Sequence, residues 1–452
     1  MRTISFVEHL EFEYHGNIFS KAMAIGDVDN DKCNELVVGT VNGDMFIYQG
    51  TKNSQALWKA SDLGMITCLE IGNVCNHNMN YVVTLNGEGW CYIFAVKPEL
   101  LTESLEPASE ETQGHILRPV HQQHLTANNK VVLIADIDGD GQCEMVVGYT
   151  DRQVKSYRWL ENEETTEGGA TGALNGKFVV VETWQLAGQL GSMTTNQRTD
   201  GPVDLMVSQP GGTFVSLLHR KAGGEGECET DKHDKNSPSV KYHPLGSGRA
   251  RNPGVTTEVV GGISRQRKGE SSSMPRYSAI CTLDGTLTLV DDDKILWSLY
   301  VDHQLFTLTR LDITGDGMEE VVACSWDGQT YLVNLNRDAV RFPFEENVAA
   351  FCAGHYAVGG ENVPCLIYAT FSNRIVVYHG IHLRQIGTTN LIRTMDEHDE
   401  VHDLLAFFNC DASKPSHVRK LYHWCLYGRH STTSQAMLTG TSSAQDDEDS
   451  DD

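Results

Sequence analysis

The chain has 452 residues, with 61 acidic against 35 basic side chains and a formal net charge of −26. Such a charge repels phosphate-rich partners, so neither nucleic acid nor an anionic membrane is expected to bind directly. There is no apolar signal region at the start, no stretch of the ~20 apolar residues that a membrane helix needs, and no framework spacing among the twelve cysteines. We therefore expect a cytoplasmic protein with reduced thiols and no direct membrane insertion.

The first predicted element is a strand, in the segment ISFVEHLEFEY from Ile4. After it comes the first of three similar segments: GDVDNDKCNELVVG from Gly26, ADIDGDGQCEMVVG from Ala135 and LDITGDGMEEVVAC from Leu311. Each segment is an oxygen-rich loop that leads directly into a valine-rich strand. This combination of loop chemistry and strand is the main signal in the sequence.

Each loop places side-chain oxygens at positions 1, 3, 5 and 9, a spacing that suits calcium. The candidate ligands are Asp27, Asp29, Asp31, Glu35, Asp136, Asp138, Asp140, Glu144, Asp312, Thr314, Asp316 and Glu320. An EF-hand is excluded, because Val38 and Val147 stand where its glutamate is needed and a strand follows where a helix should begin. The loops are predicted to fix the turn between the first two strands of a blade, with or without a bound ion. A regulatory calcium switch is the alternative.

Four further segments repeat the strand, turn and strand without the acids, starting at Tyr81, Asp204, Tyr277 and Cys365. The seven turns are anchored at Gly43, Gly89, Arg152, Gly212, Gly285, Gly328 and Asn373. The shortest spacings between them, 46, 43 and 45 residues, equal the length of a four-stranded propeller blade. The sequence predicts an all-β, seven-bladed β-propeller over residues 1–390, with the Ile4 segment as the outer strand of the last blade.

Low-complexity segments interrupt the repeat, and the strand pattern stops beyond about Leu391. Residues about 100–115, 161–176 and 219–253 are predicted to be disordered surface insertions. Residues 391–430 are predicted to be a short helical extension, with helices near Leu404 and Val418 on either side of Pro415. Residues 431–452 are predicted to be a disordered acidic tail.

No catalytic residues are predicted. The chain lacks a G-x-S-x-G elbow, a Walker lysine loop and an H-E-x-x-H helix. Paired carboxylates of a glycosidase remain an open alternative, since the sequence gives no reason to choose one pair.

The acidic loops with their strands resemble the FG-GAP repeats of integrin alpha-subunit propellers. The resemblance covers about residues 4–387. It is carried by GDVDND at Gly26, SDLGMITCLEIGNVCN at Ser61, DIDGDG at Asp136, VVGYTDR at Val146, CTLDGTL at Cys281, VDHQLFTL at Val301 and VVACSWDGQTY at Val321. Three departures concern calcium: Lys32 stands in a glycine slot, Thr314 replaces an acid, and glutamate fills position 9 throughout.

The resemblance extends to soluble FG-GAP proteins of the KICSTOR scaffold complex, and it implies a non-enzymatic adaptor with a structural calcium. The implied partners are kaptin, a very large scaffold subunit and a GTPase-activating complex of the Rag pathway. The implied place is the cytoplasm and the lysosomal surface, where the complex restrains mTOR kinase signalling in response to amino acids or glucose. The propeller rim, the insertion after Arg220 and the C-terminal helices would be the contact regions.

Two alternatives come from other classes of protein. One is a propeller that binds or hydrolyses a carbohydrate, with calcium shaping its loops; it should show aromatics converging with acids on one face, whereas an adaptor should show an exposed apolar patch. The other is an integrin-like adhesion fragment, which would require secretion.

Overall fold

The structure is a computed structural model, and it divides into two units, residues 1–386 and 387–452, which are treated separately. The described residues are 2–6, 8–51, 55–96, 115–162, 174–196, 203–218, 239–243, 245, 252, 254–264, 277–384, 386, 387, 405, 410, 411 and 414–427.

The first unit consists of seven small sheets, each with four antiparallel strands, as the repeat predicts. Two short strands precede blade one: β1 Arg2–Thr3 and β2 His9–Glu13. The strands of blades one and two, with β10 between them, are β3 Met23–Gly26, β4 Glu35–Gly39, β5 Met45–Tyr48, β6 Trp58–Ala60, β7 Ile66–Gly72, β8 Tyr81–Asn86, β9 Trp90–Phe94, β10 His115–Ile116 and β11 His121–His124.

The remaining blades follow in chain order. Those of blades three and four are β12 Asn129–Ala135, β13 Glu144–Tyr149, β14 Gln153–Glu161, β15 Gly176–Gln185, β16 Met193–Asn196, β17 Asp204–Gln209, β18 Thr213–Leu218 and β19 Ser239–His243. Those of blades five to seven are β20 Thr257–Ile263, β21 Tyr277–Thr282, β22 Thr286–Asp291, β23 Lys294–Tyr300, β24 Leu305–Leu311, β25 Glu320–Ser325, β26 Gln329–Val333, β27 Ala339–Pro343, β28 Val348–Val358, β29 Glu361–Thr370 and β30 Arg374–His379.

The second strand of each blade forms the core. Strands β4, β8, β13, β17 and β25 are buried at every position, because neighbouring blades cover both faces of the sheet. A strand covered on both faces needs a continuous apolar run rather than an alternating one. This requirement explains the Val-Val pairs, such as Val37 with Val38 and Val146 with Val147.

A tight turn joins the second and third strands in every blade. All seven anchor residues predicted for these turns have a positive φ, between 61° at Asn373 and 98° at Gly89. Five of the seven are glycines, which adopt this conformation without steric cost. Arg152 (φ 69°) and Asn373 are the exceptions, and Asn tolerates the left-handed region better than most residues.

The first strands of the blades are neighbours in the order β3, β7, β12, β16, β20, β24, β28 and back to β3, which closes the ring. The outer strand of blade seven is β2, paired antiparallel with β30 from His9↔Tyr378 to Glu13↔Arg374. The prediction that the opening segment completes the last blade is thereby confirmed. Chain segments far apart in sequence thus share one sheet, which removes free edges at the seam.

Two short strands extend blades in a way that the repeat does not predict. Strand β1 pairs in parallel with β27 of blade six, and β10 pairs in parallel with β6 of blade one. The chain therefore covers the outer edges of two blades with its own segments.

Most of the predicted insertions and all of residues 431–452 lie outside the described residues. Within the third predicted insertion, Ser239–His243 is the fourth strand of blade four. In the second unit, the helix α1 Pro415–Tyr427 contains the segment predicted near Val418, and Pro415 opens it. Of the segment predicted near Leu404, only Leu405 is described.

Neither a disulfide nor a membrane-spanning helix is found among the described residues. Ten cysteines of the described part of the chain are free thiols, and of these Cys281 and Cys324 are buried in strands. No helix among the described residues has the length and apolar character to span a bilayer.

Candidate functional site

Each acidic loop connects the first and second strands of its blade and folds around the Asp at position 1. Asp136 accepts hydrogen bonds from the N–H groups of Gly139 (2.7 Å) and Gly141 (2.8 Å). Asp27 and Asp312 accept equivalent bonds from their own loops. The carboxylate thus satisfies backbone donors of the turn that it belongs to.

The acids at positions 9 and 5 close each loop further. At position 9, a carboxylate accepts the N–H of position 2: Val28 to Glu35 (3.0 Å), Ile137 to Glu144 (3.1 Å) and Ile313 to Glu320 (2.9 Å). At position 5, a carboxylate accepts the N–H two residues on: Cys33 to Asp31 (2.6 Å), Gln142 to Asp140 (2.8 Å) and Met318 to Asp316 (2.8 Å). The predicted ligand residues therefore have a structural role in the turn itself.

The first loop has a compact set of oxygens. Ligand atoms of Asp27, Asp29 and Glu35 lie within 4.8 Å of one another. Burial, together with the Asp29 carboxylate, raises the pKa of Glu35 to about 8. The facing side chain is the neutral amide of Gln49, which donates to Glu35 (3.1 Å) and Asp29 (3.4 Å). Hard oxygens with excess negative charge and no facing cation fit calcium.

The second loop has the same oxygens but a different neighbour. Ligand atoms of Asp136, Asp138 and Glu144 also lie within 4.8 Å of one another. The Arg158 guanidinium contacts Asp138 (Nη2 to Oδ2, 2.9 Å), Asp140 (Nη1 to Oδ2, 2.8 Å) and Glu144 (Nε to Oε1, 2.9 Å). A cation supplied by the protein thus already contacts three of the four predicted ligands.

The third loop lacks one acid. Thr314 occupies position 3 and donates to Glu320 (3.3 Å). Burial raises the pKa of Glu320 to about 7, with the Asp312 and Asp316 carboxylates adding to the effect. Among the described residues, the groups of three acidic ligands lie in the first and second loops only.

Asparagines from neighbouring blades hold the first two loops. Asn80 of blade two donates to the Asp27 carbonyl (3.0 Å). Asn76, also of blade two, accepts from the Cys143 N–H (2.6 Å) and donates to the Cys143 carbonyl (3.2 Å). The loops therefore tie adjacent blades together on one face of the ring.

Charged side chains cross the central channel, which the first strands line. The Lys21 ammonium, beside blade one, lies 2.5 Å from Glu258 of blade five on the far side of the ring. Lys130 of blade three donates to the Leu190 carbonyl (2.6 Å), and burial lowers its pKa. Lys21, Glu258 and Lys130 thus have partners within the protein.

A Ser–His–Asp arrangement links blades four and five, which sequence reasoning missed. Ser216 Oγ lies 2.9 Å from His243 Nε2, and His243 Nδ1 lies 2.5 Å from Asp293 Oδ1. These are the contacts of a hydrolase triad. However, Ser216 is only 1% exposed and the Phe214 ring stacks on His243, so a substrate cannot reach the hydroxyl. The arrangement is a buried structural network.

A cleft of about 470 Å³ lies between blades five and six, on the face opposite the acidic loops. Its lining residues are Leu283, Asp284, Tyr300, Asp302, His303, Gln304, Trp326 and Asp327. Trp326 stacks on Phe306 with ring centres 4.0 Å apart, and His303 Nδ1 lies 2.7 Å from Asp327. Aromatics and acids thus converge here, the composition expected of a carbohydrate site.

The outer edge of blade three carries an exposed apolar patch. It consists of Val179, Val180 and Val181 on the outer strand β15 together with Leu160 on the adjacent strand β14, and we call it the blade-three edge patch. Val180 is 48% exposed and Leu160 is 47% exposed. Among the described residues, no strand pairs with the outer side of β15. The Gln123 side chain of blade two bonds both backbone groups of Phe178 on this strand (2.8 and 3.0 Å), so part of the edge is covered from within the protein. The exposed apolar side chains are a surface on which another chain can pack.

Comparison with protein families gives one match to a family model. The model is described as integrin-alpha FG-GAP repeat-containing protein 2, and it matches residues 50–383. The matched range contains most of the propeller.

Comparison with individual proteins gives similar relatives and similar folds. A Mus musculus protein named KICSTOR complex protein ITFG2 is 42% identical over 436 residues, covering 94% of this chain and 96% of its own. A Bos taurus protein of the same name is 41% identical over 416 residues, covering 88% of this chain and 74% of its own. The crystal structure of BBS1N in complex with ARL6DN, soaked with mercury, has a TM-score of 0.54 at 13% identity, covering 83% of this chain and 97% of that one. This last likeness concerns the fold alone.

Proposed function

The chain belongs to the integrin-alpha FG-GAP repeat-containing protein 2 family, and from that premise we propose that it is a non-enzymatic scaffold subunit of a KICSTOR-like complex. The observation that carries the proposal is 42% identity to a relative named for that complex, over 94% of this chain and 96% of the relative. The match extends over nearly the whole of both chains and is not confined to one part of the propeller.

The proposed partners are kaptin and a very large scaffold subunit, and through them a GTPase-activating complex of the Rag pathway. The protein would be cytoplasmic and recruited to the lysosomal surface, where the complex restrains the mTOR kinase when amino acids or glucose are scarce. Its mechanism would be recruitment through surfaces, without turnover of a substrate.

Three features support a role without catalysis. Channel charges such as Lys21 and Glu258 are paired with each other, Ser216 of the buried triad is out of reach of a substrate, and the blade-three edge patch offers an apolar surface. The acidic aromatic cleft between blades five and six fits the carbohydrate alternative, which the relatives do not favour.

A signalling experiment tests the proposal. Cells lacking the protein should keep the mTOR kinase active after amino-acid withdrawal, and re-expression should restore shut-down. A normal shut-down in the cells that lack the protein would refute the proposed role.

We also propose that the first acidic loop binds a structural calcium ion through Asp27, Asp29, Asp31 and Glu35. An ion there would neutralise clustered carboxylates and stabilise the folded state by mass action. Adding millimolar calcium to chelator-treated protein should raise its melting temperature by a few degrees, and D27N should abolish the rise. An unchanged melting temperature in the wild type would refute the calcium site.

A further inference from the structure

The first and second acidic loops differ in the residue that faces them from the end of the blade's third strand or directly after it. This residue follows the position 9 glutamate by 14 positions, as Gln49 follows Glu35 and Arg158 follows Glu144. The register makes the positions equivalent: Leu36 pairs with Tyr48 in blade one, and Met145 pairs with Tyr157 in blade three. The facing residue is therefore a neutral amide in blade one and a guanidinium in blade three.

The guanidinium uses most of its donors on the second loop. Nη1 contacts Asp140, Nη2 contacts Asp138, and both Nε and Nη2 contact Glu144. Glu144 is 0% exposed, so its charge is removed from water and Arg158 is its counter-ion. The fork of the guanidinium matches carboxylate geometry better than a point charge would.

Calcium and this guanidinium compete for the same oxygens. A calcium ion needs six to eight oxygen ligands at about 2.3 to 2.6 Å. In blade three, the acids at positions 3, 5 and 9 point their oxygens at Arg158, and Asp136 is engaged with the loop backbone. An ion at the centre of this cluster would also lie beside a fixed positive charge.

We propose that Arg158 replaces the metal ion in the second acidic loop and keeps that loop free of calcium. The loop with the most regular motif, DIDGDG, then does not respond to calcium. The comparison with the first loop rests on the calcium site proposed above, whereas the claim about the second loop stands without it.

The test is a calcium titration of the chelator-treated full chain. Calorimetry measures the number of bound ions, and the melting temperature is measured alongside it. Arg158→Gln places in blade three the residue type that faces the first loop. This variant should bind one more calcium ion per chain than the wild type, and adding D136N should remove the extra ion. D136N alone, with Arg158 present, should leave the number of bound ions unchanged.

Two outcomes would overturn the proposal. One is a loss of a bound ion in D136N alone, which would place calcium in the second loop of the wild type. The other is a folded R158Q protein that gains no ion, which would show that Arg158 is not what excludes calcium.

A reciprocal variant keeps the test informative if R158Q does not fold. Gln49→Arg places a guanidinium opposite the first loop and should abolish the calcium response that D27N abolishes. A response that persists in folded Q49R would overturn exclusion by a facing arginine. A wild type that binds no calcium at all would refute the calcium site in the first loop but leave the R158Q result to decide the second.

Discussion

Blades one and three are built from the same acidic loop and the same buried second strand, but they differ where other parts of the chain meet them. In blade one, Gln49 faces the loop and β10 covers the outer edge. In blade three, Arg158 faces the loop and the outer edge carries the exposed blade-three edge patch. The shared part builds the ring, and the parts that differ adapt each blade to an ion or to a partner.

The largest expected effect concerns the buried charge of blade three. E144Q leaves Arg158 without its buried carboxylate, and we expect the free energy of unfolding to fall by about 3 kcal/mol. The loss should not be larger, because Asp138 and Asp140 remain as partners of Arg158. The equivalent E35Q in chelator should cost about 1 kcal/mol or less, since Glu35 faces a neutral amide. Denaturant unfolding of both variants measures the difference. Equal losses would contradict the distinction between the two loops.

The next effect concerns the two outer edges. The double variant V180K/V181K places charges on the blade-three edge patch and should weaken recovery of partner subunits about tenfold, or about 1.4 kcal/mol. The matched control is I116K, because Ile116 is 82% exposed and lies in β10, the strand that covers the outer edge of blade one. Quantitative co-purification of both variants measures the effect. Similar recovery with both would mean that the open edge is not a contact surface.

The smallest effect concerns the asparagines between blades. N76A removes two hydrogen bonds to Cys143 of the second loop, and N80A removes the side-chain bond to the Asp27 carbonyl of the first. Each should lower the free energy of unfolding by about 1 kcal/mol. Thermal unfolding in chelator checks this expectation, and adding calcium should compensate for N80A but not for N76A. Compensation of N76A would place an ion in the second loop.

The sequence was sufficient for the blades because each repeats the same physical requirement. A second strand covered on both faces must be apolar throughout, and the turn after it needs a positive φ, so Val-Val pairs and turn glycines recur at a fixed period. The closing strand His9–Glu13 was predictable for the same reason, as a strand pattern left over at the start of a ring.

Contacts between distant residues could not be predicted in this way. Strands β1 and β10 are two residues long and have no pattern. The Ser216, His243 and Asp293 network joins residues from two blades with no common motif. Arg158 had a signal, since aligning the three repeats past the turn places Gln49, Arg158 and Asn334 at one position. Recognising that signal required the strand register, which shows that this position faces the loop.

The central claim is that the protein is a subunit of a scaffold complex, and the most direct measurement is purification of the endogenously tagged protein under gentle conditions. We expect kaptin and a very large partner chain to be recovered in amounts comparable to the tagged protein. Recovery of the protein alone would contradict the claim and would direct attention to the cleft between blades five and six as a ligand site.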